Sequence, residues 1–383
     1  MTDGKPALDP AADGSLPSNG PGARSEFLNA ELDRLWVRGR AILGSELAIM
    51  GGAMTWVSER NLVAAISNAG GFGVIASGAM SPDLLVGEIS ATQALTARPF
   101  GVNLITLHPQ LLELIDVCAA QRVSHVVLAG GLPGSAAVRR IKQAGMRVFC
   151  FASALGFARK LARMGVDAII IEGSEAGGHI GPVSTGVLAQ EILPHFASLP
   201  VFVAGGIGRG EAMLAYLEMG AAGVQLGTRF VCARESIAHP RFKQAFIRAA
   251  ARDAVASVQL DPRFPVIPVR ALSNSATERF VAMQRSVIER FVRGELTQKA
   301  AQLEIEHFWA GALRRAVIDG DIEAGSLMAG QSVGFVTREQ TTAEIIEELV
   351  SQALAILAAR MRRPLDRPLP LRPPLSEEQD ARG

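Results

Sequence analysis

The chain has 383 residues, 49% of them hydrophobic, enough for a large core and one further subdomain. A formal net charge of +1 gives no footprint for nucleic acid or a charged membrane surface. The three cysteines, Cys118, Cys150 and Cys232, are too few and too scattered for an iron–sulfur cluster or a metal site within the chain, and Cys150 and Cys232 read as buried thiols.

Residues 1–28 are rich in Gly, Pro, Ser and Ala and lack the apolar centre of a signal peptide. They read as a disordered tail on a cytoplasmic protein. No uninterrupted apolar run is long enough to span a membrane. Eight short apolar runs then follow, at 47–51, 73–76, 100–105, 125–130, 147–152, 167–173, 201–206 and 223–228. Helical patterns separate them, at 59–68, 82–96, 109–121, 135–144, 153–164, 185–198 and 210–219, with an eighth expected from Arg234 onward. Short buried strands alternating with helices are the signature of a parallel sheet with helical crossovers. Eight such units predict an α/β fold, a (β/α)8 TIM barrel over residues 33–233.

Glycine placement points to the working face of that barrel. The sixth strand runs into Glu172-Gly-Ser-Glu-Ala-Gly-Gly-His179-Ile-Gly181. Such a segment builds a core poorly, but it lets backbone amides and one imidazole approach a flat ligand. The seventh strand ends in Ala204-Gly-Gly206 and the eighth in Gly227-Thr228. Glycines at these two strand ends form a phosphate cradle of backbone N–H groups, at the position where such barrels commonly hold a phosphate. His179 falls after the sixth strand, on the same face.

Residues 234–325 exceed what a plain barrel needs. Pro262, Pro265 and Pro268 break their helical pattern, which resumes over 277–304. The segment reads as a small helical lid inserted after the eighth strand. The loop Gly325-Ser-Leu-Met-Ala-Gly-Gln331 and a helix from 341 to about 361 complete a unit over 326–362, and the Pro-, Arg- and acid-rich residues 363–383 read as a second tail.

These residues together resemble the flavin-dependent enoyl-acyl-carrier-protein reductase II group and the nitronate monooxygenases (2-nitropropane dioxygenases), which share one fold. The resemblance rests on Gly51-Gly-Ala-Met-Thr-Trp-Val57, Asn68-Ala-Gly-Gly-Phe-Gly73, Pro99-Phe-Gly-Val-Asn103, the Glu172–Gly181 segment, Ala204-Gly-Gly-Ile-Gly208, Val224-Gln-Leu-Gly-Thr-Arg-Phe230, Glu235-Ser-Ile-Ala-His-Pro240 and Gly325–Gln331. It spans roughly residues 33–362 and implies bound FMN. By position, Ala53, Met54 and Asn103 would contact the flavin ring, with Gly177 beside it, and Gln225 resembles a flavin-side residue. Ala204, Gly205, Gly206, Gly227 and Thr228 would hold the phosphate, and Met328 and Gly330 would close the ring from the lid. Glu172 is carried as a further cofactor-side residue and His179 as the catalytic one. Ala53 departs from relatives that have a second glycine there.

Two chemistries compete under this resemblance. In the first, NADH or NADPH reduces the flavin, which then reduces an enoyl thioester carried on a small molecule or on acyl-carrier protein. In the second, the enzyme oxidises nitronates or nitroalkanes with O₂. The Glu-Ala-Gly-Gly-His-Ile-Gly form resembles the reductases better. A quinone reductase is a further alternative, and a homodimer is the expected assembly.

Overall fold

The computed structural model describes residues 21–361, apart from Ile267 and Ala310. Residues 1–20 and 363–383, in the two expected tails, lie outside the described part. In chain order the strands are β1 (Ile49–Gly51), β2 (Val74–Ala76), β3 (Gly101–Ile105), β4 (His125–Ala129), β5 (Arg147–Ala152), β6 (Ala168–Glu172), β7 (Gly178–His179), β8 (Val201–Ala204), β9 (Gly223–Leu226), β10 (Ala254–Ala256) and β11 (Val269–Leu272). All strands but β7, β10 and β11 form one parallel sheet in the order β1-β9-β8-β6-β5-β4-β3-β2. Phe72 bridges its two ends: its N–H donates to Ile49 O at 2.9 Å, and its C=O accepts from Gly51 N at 2.9 Å. The sheet is thus a nearly closed eight-stranded barrel, at the eight expected positions.

Strand register shows which side chains face inward, because partners across a parallel ladder point to the same side. The rings of Phe72, His125, Phe149 and Phe202 contact one another in series at 4.8, 5.5 and 5.7 Å between centroids. They fill the barrel's interior toward the strands' N-terminal ends. Phe202 fixes the inward parity of β8, so Ala204 faces inward as well. Its ladder partners Glu172 and Gln225 share that side. Asn103 lies two residues beyond Gly101, the ladder partner of inward-facing His125, and therefore also points in. Three polar side chains thus rim the inside of the C-terminal mouth, above an aromatic floor.

Two helices depart from the sequence expectation. A helix, Pro21–Leu43, begins inside the stretch expected to be a tail. Leu32, Trp36 and Leu43 recur on one buried stripe, and such burial outweighs the loop-like composition of its start. This helix seals the barrel's N-terminal end: Ile42 O accepts from His125 Nε2 and from Arg147, both at 2.8 Å. The eighth crossover position is filled by Thr342–Met361, and not by the segment from Arg234. That last helix packs on the helices Gly210–Glu218 and Arg60–Asn68 through Ile345, Ile346, Leu349 and Ala353. After β9 the chain makes only the short helix Thr228–Val231 before leaving for the insertion, so the closing helix comes from beyond it. No helix among the described residues is long and apolar enough to cross a membrane.

The insertion attaches to the C-terminal face. Its strand β11 pairs antiparallel with β10 and also with β7, which belongs to the loop after β6. Helices Ser275–Val292 and Gln298–His307 build a second core of Phe280, Val287, Ala301 and Ile305, joined by Phe264 from the segment before β11.

Candidate functional site

The loop after β1 is the first wall of the site. Ser58 ties it together, donating its Oγ to Gly52 O and accepting from Met54 N. A side chain built on Gly227 would stand 3.5 Å from Met54 Sδ, so the β1 loop lies against the end of β9. A Cβ on Gly52 would lie 3.6 Å from Gln225 Nε2, which puts that amide under the same loop. Trp56, at φ +70° and partly exposed, holds a backbone conformation that bulky residues rarely adopt. The Arg314 guanidinium of the insertion sits 5.8 Å from its ring centre, so the insertion reaches the β1 loop too. Asn103 donates its Nδ2 to Val127 O at 3.0 Å, while Ser77 donates to the Asn103 carbonyl.

The opposite wall is the loop after β6. Gly177 has no room for a side chain: a Cβ would lie 2.6 Å from Gly330 N. A Cβ on Gly330 would in turn lie 2.7 Å from Glu175 O. Gly330 N donates to Thr228 Oγ1 at 2.9 Å, and Gln331 N to Glu175 O at 2.9 Å. The loops after β6 and β9 and the 325–331 segment therefore meet at one point. Met328 is adjacent, 3.6 Å from where a Gly178 side chain would begin. Glu175 is spent on structure, since its carboxylate accepts from the backbone and hydroxyl of Thr185.

Gly205 (φ +96°) and Gly206 (φ +75°) turn the chain sharply after β8. Both conformations favour glycine, and a Cβ on Gly206 would come within 3.0 Å of Glu175 Cβ. Strands β8 and β9 are neighbours, so Gly205 and Gly206 stand beside Gly227 and Thr228. Among the described residues, the N–H groups of Gly206, Gly227 and Thr228 make no turn, loop or side-chain hydrogen bond, and Gly205 stands beside them at the end of the β8–β9 ladder. Unspent amides gathered at two adjacent strand ends are the makings of an anion site.

His179 lies in β7, and the ladder pairs it with Val269 and Gly178 with Arg270. Its ring reaches solvent, yet the surrounding loop removes enough water to hold its pKa below the ordinary 6.5. Burial therefore favours the neutral form of the imidazole. Glu172, at the inner rim, has no hydrogen-bond partner among the described residues, and burial alone pushes its pKa up to about 8. The one charged side chain brought to this loop by the β7–β11 ladder, Arg270, donates to Ser174 O at 2.7 Å and to Ala254 O at 2.5 Å.

Other residues with tempting chemistry have structural duties. Arg229, beside the cradle, donates to Phe335 O and pairs with Glu348 of the closing helix at 3.2 Å. His239 accepts from Arg241 N at the start of the helix Pro240–Arg248. The three cysteines are buried, with thiol pKa values pushed up to about 12.

The nitronate monooxygenase family description matches residues 39–121 and 110–352. The chain is 31% identical over 348 residues to a Mycobacterium tuberculosis protein named (3aS,4S,5R,7aS)-5-hydroxy-7a-methyl-1-oxo-octahydro-1H-indene-4-carboxyl-CoA dehydrogenase, covering 82% of this chain and 95% of the relative. It is 28% identical over 331 residues to a probable nitronate monooxygenase of Staphylococcus aureus, covering 72% and 92%. Among solved structures, FabK from Thermotoga maritima, an enoyl-acyl-carrier-protein reductase II, superposes with a TM-score of 0.76 at 35% identity, covering 85% of this chain and 98% of FabK. A nitroalkane oxidase from Streptomyces ansochromogenes gives 0.67 at 27%, covering 82% and 98%.

Proposed function

Since the chain belongs to the nitronate monooxygenase family and is an FMN-type oxidoreductase, we propose that it reduces an enoyl thioester at the expense of NADH or NADPH. The FMN phosphate would take the amides of Gly205, Gly206, Gly227 and Thr228, with Ala204 behind them. The ring would lie against Ala53, Met54 and Gly177, over Asn103 and Gln225, with Met328 and Gly330 beside it. The unspent amides and the glycines without room for a Cβ support that fit. Bound FMN supplies the two-electron chemistry; the protein supplies orientation and electrostatics.

One observation carries the choice of reaction. At the two acid–base groups of the mouth, Glu172 and His179, burial favours the uncharged form, and Arg270 donates to two carbonyls. An uncharged, partly desolvated mouth suits a neutral conjugated thioester better than a nitronate anion, which would pay desolvation without gaining a cation. The neutral imidazole of His179 would donate to the thioester carbonyl and take up charge as it develops there. Relatives bearing on thioesters, the CoA dehydrogenase and FabK, lie on the same side. The insertion, 234–325, would cover the acyl chain and the nicotinamide.

The lowered pKa of His179 also favours a second reading, since a neutral imidazole can accept the α-proton of a nitroalkane. Anaerobic assays separate the two. Stoichiometric loss of NAD(P)H and of the enoyl double bond without O₂ is the expected result. O₂ uptake on nitronates with no NAD(P)H consumption would establish the second reading in its place.

A further inference from the structure

We propose that Arg229 supplies the positive charge that favours the phosphate of FMN, acting from behind the cradle and not by contact. The proposal rests on the FMN reading of the cradle above. Arg229 directly follows Gly227 and Thr228 at the end of β9, and its side chain is only 2% exposed. Its Nη1 donates to Phe335 O at 2.6 Å. The ring of Phe335 in turn fills the space where a Gly208 side chain would begin, two residues past Gly206. The backbone of Arg229 thus belongs to one half of the cradle, and its guanidinium is anchored to a residue that packs on the other.

This cation is incompletely satisfied. Its Nε is buried and has no hydrogen-bond partner among the described residues. A buried charge is costly unless it is fully paired and hydrogen-bonded. The carboxylate that pairs with it, Glu348, stands 3.2 Å from Nη2 and is 36% exposed. The two oxygens of Glu348 also accept from Gln340 at 2.9 Å and from Gln352 at 3.1 Å. Water screens the half-exposed Glu348 more than the buried Arg229, so the pair leaves a net positive field toward the interior. The same network reaches the loop after β8 a second time: Gln352 Oε1 accepts from Gly210 N at 2.7 Å, at the start of the helix that follows it.

An anion in the cradle needs such a charge. A phosphate monoester carries about two negative charges at neutral pH, whereas backbone amides offer partial charges alone. Glu175 works against the anion, since a Cβ on Gly206 would lie 3.9 Å from its carboxyl carbon. Neighbouring cations are engaged elsewhere. Arg209 is half-exposed and paired with Glu211 at 2.5 Å, and Arg270 donates to Ser174 O and Ala254 O. Arg229 is the buried cation next to Thr228.

FMN and riboflavin share a ring and differ by the phosphate, so their affinities separate a charge effect from structural support. Titration of the deflavinated protein with each, read by flavin fluorescence, gives the preference for FMN. Arg229→Met should weaken FMN by roughly 10- to 100-fold, the scale of one charge acting across several ångströms inside a protein, and leave riboflavin unchanged. Arg229→Lys keeps the charge and should retain most of the preference. Glu348→Gln removes the opposing carboxylate from a half-exposed position and should raise it. Equal weakening of both flavins by Arg229→Met, an unaltered preference, or a loss in Arg229→Lys as complete as in Arg229→Met overturns the proposal. If Arg229→Met does not fold, Glu348→Gln decides, and a preference no higher than that of wild type overturns it. If wild type binds riboflavin as tightly as FMN, the cradle reading fails and the role of Arg229 with it; if wild type prefers FMN and Arg229→Met keeps that preference, only the role of Arg229 fails.

Discussion

Gly177→Ala puts the contact between three loops to the test. A methyl at this position would lie 2.6 Å from Gly330 N and 2.7 Å from the Ala329 carbonyl carbon. Ordinary contact begins near 3.4 Å, so the two segments must part by about 0.8 Å, and the obstacle is backbone, not a side chain that can swing away. Overpacking of this kind costs about 1–3 kcal/mol. Parting the segments also loosens the Gly330 N–H to Thr228 bond and the Gln331 N–H to Glu175 bond, which together hold the 325–331 segment over the mouth. If that strain falls on the ligand-binding geometry, FMN affinity should drop roughly 5- to 150-fold, at about 1.4 kcal/mol per factor of ten. Quenching of flavin fluorescence on titration of the deflavinated protein measures this directly. Undiminished affinity with an unchanged melting temperature would refute the packing argument.

Further outcomes follow from the same geometry. Gly206→Val should leave the protein without flavin after purification, because its φ of +75° and the nearby Glu175 Cβ penalise a branched side chain in the cradle; the ratio of flavin to protein absorbance checks this. Heat-released cofactor should run as FMN on chromatography, and recovery of FAD would defeat the single-phosphate cradle. His179→Ala should keep its flavin and its bleaching by NAD(P)H while losing roughly 10²–10³-fold in turnover, the usual cost of one charge-stabilising donor. Unchanged turnover on enoyl thioesters and nitronates would remove His179 from the site's chemistry. Glu172 should also leave a mark on stability. Its folded pKa of about 8 stands above its ordinary 4.5, so the folded state holds a proton that the unfolded chain releases. The penalty is absent below about pH 4.5, grows as pH rises, and levels off above about pH 8 at roughly 5 kcal/mol at most, from 1.36 kcal/mol per pKa unit. Glu172→Gln should flatten that fall in a urea-denaturation series against pH.

The barrel was legible because its signal is local. Runs such as Ala168–Glu172 and Val201–Ala204 are apolar, short and separated by helical periods, so eight strands could be counted without knowing their partners. Period-two parity then sends Asn103, Glu172 and Gln225 inward once one aromatic of the floor is fixed. Distant pairings carried no such mark. Gly178 and His179 form a two-residue strand whose partners, Arg270 and Val269, lie some ninety residues on in a proline-broken segment. The helix Pro21–Leu43 was hidden by a Gly- and Pro-rich start, although its stripe of Leu32, Trp36 and Leu43 was available to be read. Arg229 directly follows Gly227-Thr228 in sequence, but its guanidinium turns to Glu348 on a helix whose position no local pattern discloses. The raised pKa of Glu172 arises from desolvation in the folded barrel and has no sequence signature.

The most direct test of the proposed activity is anaerobic stopped-flow mixing with flavin absorbance as the readout. NADH or NADPH should bleach the FMN-loaded protein rapidly, and an enoyl thioester added next should restore the yellow colour while its double bond is lost. A flavin untouched by both nicotinamides but bleached by a nitronate would contradict the account.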